Sequence, residues 1–552
     1  MKKLSFLILT LLLLGCGSAL AAEKLSLYVQ PASADPGQMA AEAVTLYRKG
    51  SKDAYLFLPA GVDPAALRVF YSGVDSLTLD GEPIVSGQEL DLSALVGQTV
   101  RLKGGSVSTS VKIMQSASIA ALYLTTESGS LTYIEKTKGN REPGTLTVLY
   151  PDGETTVTRD MDYLKSRGNG TFEYSKKPYE IKLSEKAGLL GMAKAKHWIL
   201  LANAKDNSLM RNKLCLDLAL EVGMQYAVHS EFVDLYINHE YRGNYLLTEK
   251  VEVGKNRVAI ADLEEATQAV NDQPLSSYKT FGTKSYKANV RKGYEIPNDP
   301  EDISGGYLLQ LDLSYRYRLA NSALVTKEGQ PVVIKSPKHA SKAQVTYISD
   351  RLQALENALF SKDGVNSATG LHYYDYIDKD SLALYMLLEE TVKNYDANRS
   401  SLYLYKPADS QSTLLYAGPG WDFDQALDNY GFVGAKVTTA ITSSTHYHWM
   451  PHAYRITDLR ERMMALYQER FVPALAIMLG ESDAGVYLRS IDTYEAQISA
   501  SAAMNYTRWK YTSVDRSNQV GRTFTSNVAH IRTFMTNRRV WLNKWWIDGV
   551  GL

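Results

Sequence analysis

Two acidic segments on either side of a short predicted hairpin constrain the fold of this chain more than any other feature. The first segment, residues 394–401, contains Asp396, and the second contains Asp422 and Asp424. Residues 402–405 between them alternate leucine and tyrosine, which is typical of a strand. Two carboxylates at positions i and i+2 can point to one side of a strand or bracket a metal ion at its end. Asp422 and Asp424 are therefore candidate metal ligands.

The order of these groups matches that of a phosphoryl-transfer site. Such a site contains an aspartate that orients a hydroxyl, a polar residue close behind it and then, after a hairpin, an aspartate that binds Mg²⁺. Asp396 takes the first position and Asp422 the last. Either segment alone would also fit a turn with solvated aspartates, but the two in this order favour a site of this kind.

A loop of small residues with basic neighbours lies upstream of these segments. It runs from Lys165 to Thr171 and contains two glycines, and Lys176, Lys177 and Lys182 follow it. Backbone N–H groups of such a loop can approach phosphate oxygens, and a following lysine can neutralise their charge. Neither a complete G-x-G-x-x-G nor a G-x-x-x-x-G-K-[ST] pattern is present in the sequence. A plain glycine-rich turn is the alternative interpretation.

The patterning of the 552 residues predicts an α+β chain in three parts. Short, partly alternating runs separated by turn residues predict a small all-β sandwich, of immunoglobulin or cadherin type, over 24–115. Strands and helices mix over 119–429, and the pattern is helical over 451–550. The polar stretch 263–304 has little periodicity and is interpreted as an insertion or a long surface loop.

Charge and cysteine content argue against two classes of protein. The 60 Lys and Arg balance 60 Asp and Glu, so the whole chain lacks the basic surplus that non-specific binding of nucleic acid requires. The two cysteines, Cys16 and Cys215, provide no disulfide framework. Cys215 falls on the apolar face of a helix predicted from Asp206 to Gly223 and is interpreted as a core residue.

The N-terminal segment, residues 1–22, predicts export. Two lysines precede an apolar run, 4–14, that is too short to cross a bilayer as a helix but has the length of a signal-peptide core. Residues 13–16 resemble a bacterial lipobox, in which Cys16 would carry lipid and attach the protein to a membrane. Residues 19–21 form an A-x-A cleavage site that would instead release a soluble protein. Both alternatives predict a protein of the cell envelope or the exterior.

Three histidines form a further candidate metal site. His446, His448 and His452 have a spacing that could bind Zn²⁺. The alternative is a polar loop over the predicted cleft, because residues 443–445 are small and polar.

Eight short motifs follow one another along the chain: R-G-N from Arg167, K-P-Y-x-I-K from Lys177, W-x-L-L-A-N from Trp198, D-N-S-L-M-R-N from Asp206, Y-R-G-N-Y-L-L-T-E-K-V from Tyr241, G-G-Y-L-L from Gly305, V-I-K-S-P from Val333 and G-P-x-W-D-F-D from Gly418. Together they resemble the spore coat protein H (CotH) kinase family. The resemblance implies an atypical, two-lobed protein-kinase-like domain over 119–550 that encloses ATP with Mg²⁺ or Mn²⁺ and phosphorylates proteins.

The same resemblance implies a role for each candidate residue at a matching position. Asp396 would be the catalytic base, and Lys182 would pair with the phosphates, with Lys177 as a second candidate. Glu249 would lie near the junction of the lobes, and Asp217 would be the acidic partner of the lysine. The phosphate-covering loop would include Arg167, Gly168, Asn169 and Thr171. The metal ion would be bound by Asp422, Asp424 and Asn398.

Two positions depart from the pattern of the family. Ser401 stands where an asparagine commonly provides a second metal ligand, so that contact would pass to Asn398 or be lost. Gly170 stands where many relatives have serine, which loosens the phosphate loop. The predicted function is an exported kinase that modifies Ser or Thr of surface or secreted proteins. The alternatives are a kinase-like scaffold or adhesin, another group transferase, and a carbohydrate-active hydrolase with paired carboxylates.

Overall fold

The strands and helices fall into two units along the chain. The computed structural model describes residues 25–50, 52–155, 158–395, 397, 400–429, 437–441, 449–511 and 523–550. Of these, the first unit comprises the residues up to Met114 except Pro59–Val62, and the second comprises Pro59–Val62 and the residues from Gln115 onwards. Within these ranges no helix has the length and apolar character needed to cross a bilayer. Cys16 and the predicted signal segment lie outside the described residues.

The first unit consists of two sheets. Its strands are β1 Ser26–Pro31, β2 Val44–Thr45, β3 Tyr47–Lys49, β4 Asp53–Leu58, β5 Leu67–Ser72, β6 Leu77–Leu79, β7 Glu82–Ile84, β8 Glu89–Leu90, β9 Thr99–Gly104 and β10 Val107–Gln115. One sheet has the order β2-β1-β5-β8 and the other β3-β4-β10-β9-β6-β7. Alternation along β9 buries Val100 and Leu102 and exposes the residues between them, as expected for a strand with one covered face.

In the second unit, seven strands form a closed sheet. They are β11 Ala120–Thr126, β12 Arg141–Leu149, β13 Arg159–Ser166, β14 Tyr179–Ala187, β15 Ala195–Leu201, β16 Ser230–Ile237 and β17 Glu240–Glu249. The order is β11-β12-β13-β14-β15-β17-β16, and a parallel pairing of β11 with β16 closes it. Leu122, Ile181 and Trp198 fill its interior with other apolar side chains. Alternate residues of β13 and β14 therefore point outwards, away from this core.

A second sheet of the same unit carries the predicted acidic hairpin. Its strands are β18 Thr280–Gly282, β19 Arg291–Tyr294, β20 Tyr307–Leu311, β21 Ser322–Val325, β22 Pro331–Ser336, β23 Leu402–Lys406 and β24 Tyr416–Ala417, in the order β18-β19-β21-β22-β20-β23-β24. The interpretation of 263–304 as a surface loop was wrong, because this stretch contains β18, β19 and a helix. β18 and β19 pair at the edge of the sheet, so their hydrogen bonds come from tertiary pairing and leave little periodicity in the sequence.

The helices lie in the second unit and pack against both of its sheets. They are α1 Thr132–Lys136, α2 Arg211–Glu221, α3 Leu263–Ala269, α4 Ser314–Leu319, α5 Lys342–Phe360, α6 Lys379–Thr391, α7 Trp449–Tyr454, α8 Thr457–Leu466, α9 Val472–Met478, α10 Ile491–Arg508 and α11 Phe524–Trp546. A capping box of Ser341 and Gln344 starts α5. The chain is thus a mixture of sheets and helices.

Helix α2 connects the two sheets of the second unit. It packs against β16 of the closed sheet and against α6. Leu214 and Leu218 on this helix, and Val222 directly after it, are fully buried. Full burial of each such side chain stabilises the fold by about 1.5–3 kcal/mol. The helix begins at Arg211 and not at Asp206, because the Asp206 carboxylate accepts hydrogen bonds from the backbone N–H of Ser208 and Arg211 and forms a turn there. Cys215 is buried on this helix, as predicted.

Candidate functional site

A cavity of about 820 Å³ opens between the closed sheet and the second sheet. It is lined by cationic side chains from both sides, namely Lys138, Lys165, Arg167, Lys205, Arg316 and Lys335. The carboxylates that line it are Glu180, Asp312, Asp422 and Asp424. Cations therefore outnumber carboxylates among the described residues of the wall, which suits an anionic ligand.

The segment after β24 places Asp422 at the cavity. Asp422 has a φ of 70°, in the left-handed region, which is uncommon for a residue with a side chain and must be held by its surroundings. The Ser401 hydroxyl lies 3.2 Å from its carboxylate, and the Asn394 amide donates to its carbonyl oxygen at 3.3 Å. The next backbone N–H, of Phe423, donates to Asn212 on α2 at 2.9 Å. Helix α2 thus positions this carboxylate.

A buried ion pair at the start of α2 braces the same segment. The Arg211 guanidinium contacts the Asp206 carboxylate at 2.5 Å, and both side chains have no solvent exposure. Arg211 also donates two hydrogen bonds of 3.3 Å to the carbonyl oxygen of Leu427. The turn of residues 206–209, helix α2 and the acidic segment are therefore one hydrogen-bonded assembly.

A second charged group lies on the outer face of β13 and β14. Glu180 is 3.2 Å from the ammonium groups of both Lys165 and Lys250, and it accepts a hydrogen bond from the Tyr163 hydroxyl at 2.9 Å. Burial by itself would raise the pKa of Glu180, but the two ammonium groups and the hydroxyl lower it to about 2. Glu180 is therefore ionised at neutral pH and holds Lys165 at the cavity wall.

This ion pair predicts a pH dependence of stability. Because the pKa of Glu180 falls from 4.5 to about 2 on folding, its stabilisation is complete above about pH 5 and is lost as the pH falls towards 2. Glu180→Gln should lower the free energy of unfolding by on the order of 3 kcal/mol at neutral pH. Urea unfolding should show this difference shrinking below about pH 4.5. Glu185→Gln, at an exposed position of the same strand, should have little effect, and a pH-independent difference would contradict the assignment.

The glycine-rich loop lines the cavity beside this pair. Gly168 has a φ of 95°, and a Cβ there would lie 2.2 Å from the Thr171 hydroxyl, so the position requires glycine. The Lys138 ammonium donates to the Asn169 side chain at 3.0 Å. Lys177 donates to the carbonyl oxygen of Phe172 at 2.6 Å and so holds the 3-10 turn of the loop from outside the cavity.

The cations of the cavity repel one another. The pKa of Lys138 is lowered by burial and then by the positive charges of Arg316, Arg167 and Lys165. Burial raises the pKa of Asp312, to which the negative charge of Asp422 also contributes. In this cavity, positive charges lower the pKa of a lysine and a negative charge raises the pKa of an aspartate. Such repulsion between like charges is typical of sites that bind a ligand of the opposite charge.

The structure brings some of the predicted residues together and separates others. Six of them line the cavity: Arg167, Gly168, Asn169, Thr171, Asp422 and Asp424. Lys182 does not line the cavity. Its ammonium is instead 2.8 Å from the carboxylate of Asp162 on the neighbouring strand β13. Glu249 pairs with Arg257 at 2.7 Å, also away from the cavity lining. Asp217 pairs with Lys213 on its own helix. Asp396 and Asn398 lie outside the described residues.

Sequence reasoning did not assign the charged partners that face the loop. Glu180 lies within the motif K-P-Y-x-I-K that begins at Lys177, and Lys165 begins the predicted loop, so both lay within segments already singled out. Asp312 directly follows the buried strand β20 and lines the cavity. Lys335 is the lysine of the V-I-K-S-P motif, which contributed to the family resemblance without a role for this side chain, and Arg316 lies in none of the motifs.

The donor set fits a divalent metal ion that is bound together with phosphates. Within the described parts of the chain, no three His, Cys, Asp or Glu side chains form a ready metal site. Mg²⁺ in phosphoryl-transfer sites is usually held by one or two carboxylates and by phosphate oxygens, and Asp422 and Asp424 provide that number at the cavity. The predicted zinc ligands His446 and His448 lie outside the described residues, and His452 stacks on Phe360 with ring centroids 3.6 Å apart.

The family model described as CotH kinase protein matches residues 164–542, which is most of the chain. The chain therefore belongs to the CotH kinase protein family. Every cavity residue except Lys138 and Gly139 lies within the matched range.

Other comparisons add no argument about function. No curated protein matches the sequence. Among solved structures, a crystal structure of a "putative glycoside hydrolase" from Bacteroides thetaiotaomicron has 14% identity, and the match covers 60% of this chain and 89% of that one. Its TM-score of 0.13 is too low to indicate a common fold.

Proposed function

We propose that this chain is a protein kinase that transfers the terminal phosphoryl group of ATP to Ser or Thr of an exported protein. The closed sheet and the second sheet with its helices would be the two lobes, and the cavity between them would hold the nucleotide. The main support for this proposal is that three cationic side chains at the cavity have unused hydrogen-bond donors. The side chains of Arg167, Arg316 and Lys335 make no hydrogen bond within the described residues.

Such unused donors favour a polyanionic ligand. A charged group at a wall normally forms charge-assisted hydrogen bonds, and phosphate oxygens accept several at once. The Arg167 guanidinium lies over the ring of Trp421, 6.0 Å from its centroid. Three cations facing two paired carboxylates, Asp422 and Asp424, match the needs of a triphosphate and a divalent cation. Mg²⁺ or Mn²⁺ would neutralise the charge that develops on the transferred group.

The proposed reaction is an in-line displacement at the terminal phosphorus atom. The acceptor hydroxyl oxygen forms a bond to this phosphorus while the bond to the bridging oxygen breaks and ADP leaves. Asp396 is proposed to accept the hydroxyl proton. Lys165, held by Glu180, is proposed to neutralise the phosphates in the place first assigned to Lys182.

Two lysine variants test this function and its assignment. Lys165→Met should weaken Mg²⁺-dependent binding of ATP by about 10- to 100-fold, because it removes a charge-assisted contact. Lys182→Met is the matched control and should change binding less than about twofold. Binding is measured by calorimetry, and transfer by incorporation of labelled phosphate into dephosphorylated casein. Loss of binding in Lys182→Met alone would restore the first assignment. No nucleotide binding by the wild type would contradict the kinase and favour a scaffold or adhesin.

The site of action is proposed from the predicted export signal. An exported kinase would act on proteins of the cell envelope or the exterior, and lipid on Cys16 would hold it at a membrane. No nucleic acid partner is proposed, because the charges of the chain balance.

A further inference from the structure

The short helix α4 presents one face to the cavity. Tyr317 anchors the helix, since it is fully buried and its hydroxyl donates to the carbonyl oxygen of Thr283 at 2.9 Å. Tyr315, Arg316 and Leu319 line the cavity, whereas Arg318 does not line it and is exposed. Residues at i, i+1 and i+4 share a face of a helix. The anchored tyrosine therefore sets which of the two arginines enters the site.

The Arg316 guanidinium lies at the cavity wall and has an unused hydrogen-bond donor within the described residues. Its Nε is buried and has no hydrogen-bond partner within the described residues. The nearest carboxylate oxygen, of Asp312, is 4.0 Å away, which is the outer limit of an ion pair. Asp312 itself accepts a hydrogen bond from the backbone N–H of Leu313 at 2.9 Å and is only slightly exposed. Asp312 can thus orient Arg316 and still leave its donors available.

Arg316 belongs to the opposite wall of the cavity from the glycine-rich loop. Asp312, its neighbour, is close enough to Asp422 for their negative charges to interact. The charges of Arg167 and Arg316, and those of Asp312 and Asp422, all affect the pKa of Tyr403. Arg316, on α4 after β20, and Asp422, after β24, both adjoin the second sheet and line the same cavity, so Arg316 lies on the same side of the cavity as the carboxylate proposed to hold the metal ion.

We propose that Arg316 binds the terminal phosphoryl group of the nucleotide, with Asp312 as its positioning residue. This inference rests on the proposed kinase function and adds a cation from the second sheet to those of the loop. A planar guanidinium can donate two parallel hydrogen bonds to phosphate oxygens. The contact would strengthen as charge develops on these oxygens during transfer.

The test compares nucleotides that do and do not carry the terminal group. Calorimetric titration with ATP and with ADP, both with Mg²⁺, is performed on wild type, Arg316→Ala, Arg316→Lys and Arg318→Ala. Arg316→Ala should weaken binding of ATP at least tenfold and of ADP less than about twofold. Arg318→Ala removes the same charge from the exposed side of α4 and should change neither. Arg316→Lys should recover part of the ATP affinity, since it keeps the charge but not the planar fork.

The other outcomes of this experiment distinguish failure of the Arg316 assignment from failure of the proposed kinase function. Equal weakening of ATP and ADP, or no weakening of either, would overturn the assignment of Arg316 while leaving the nucleotide site in place. No binding of either nucleotide by the wild type would overturn the kinase function and this inference together. Thermal unfolding is recorded for every variant; if Arg316→Ala is unfolded, Arg316→Lys decides, and unchanged discrimination between ATP and ADP in it would contradict the proposal.

Discussion

Replacing Asp422 with Asn is expected to lower phosphoryl transfer by on the order of 10³-fold, because it removes the charge that we propose holds the metal ion near the transferred group. The change keeps the volume of the side chain and its contact with the Ser401 hydroxyl, which lies 3.2 Å from the carboxylate. The fold should therefore persist. Binding of ATP should become nearly independent of Mg²⁺, while binding without the metal should change little.

The matched control for this variant is Asp162→Asn. Asp162 is partly exposed, pairs with Lys182 and does not line the cavity, so the same substitution there should leave transfer within about twofold of wild type. Calorimetry with and without Mg²⁺ and incorporation of labelled phosphate measure the two effects. If Asp422→Asn retained most of the transfer, the acidic segment would not be the metal site, and the phosphoryl-transfer assignment would lose its main support.

Asp206→Asn is expected to have the largest effect on stability. Removing one partner of a buried ion pair leaves an uncompensated charge and typically lowers the free energy of unfolding by about 3–5 kcal/mol. Arg211 would be that charge, since neither side chain of the pair is exposed. Arg211 also holds the carbonyl oxygen of Leu427, so the variant should bind nucleotide more weakly even at temperatures where it is folded.

The chain offers a direct measurement of this effect. All 7 tryptophans lie in the second unit, so tryptophan fluorescence during urea unfolding reports on that unit alone. The control is Asp492→Asn, which breaks a surface pair with Arg532 in which the aspartate is 71% exposed. It should lower the free energy of unfolding by less than about 1 kcal/mol. Equal effects of the two substitutions would show that the buried pair does not brace the site.

Several parts of the site could be predicted because they depend on residues that are close in sequence. The strand 402–405 and the glycine-rich loop at Arg167 lie where local patterns indicated them. The loop and Asp422 both line the cavity. Turn chemistry and alternation act over a few residues, so they can be read without knowing the rest of the fold.

Local patterns do not determine which lysine, Lys165 or Lys182, faces the cavity. Alternation along β14 places Glu180 and Lys182 on the same face of the strand. It does not say which of them meets a partner at the cavity. The register with β13 decides that, because it sets Lys165 opposite Glu180, whereas the ammonium of Lys182 pairs with Asp162. Register depends on pairing between strands and on closure of the whole sheet.

The sequence by itself determined the family, and it indicated the acidic segment and the glycine-rich loop that line the cavity, because these consist of contiguous residues whose types suit one chemistry. Only the tertiary structure decided which charges face the cavity: Glu180 behind Lys165, and Arg316 with Asp312 on the opposite wall. Arg316 and Arg318 are two residues apart and chemically identical, and only the burial of Tyr317 between them sends one to the cavity and the other to solvent. That difference arises from packing between distant segments, which local patterns do not contain.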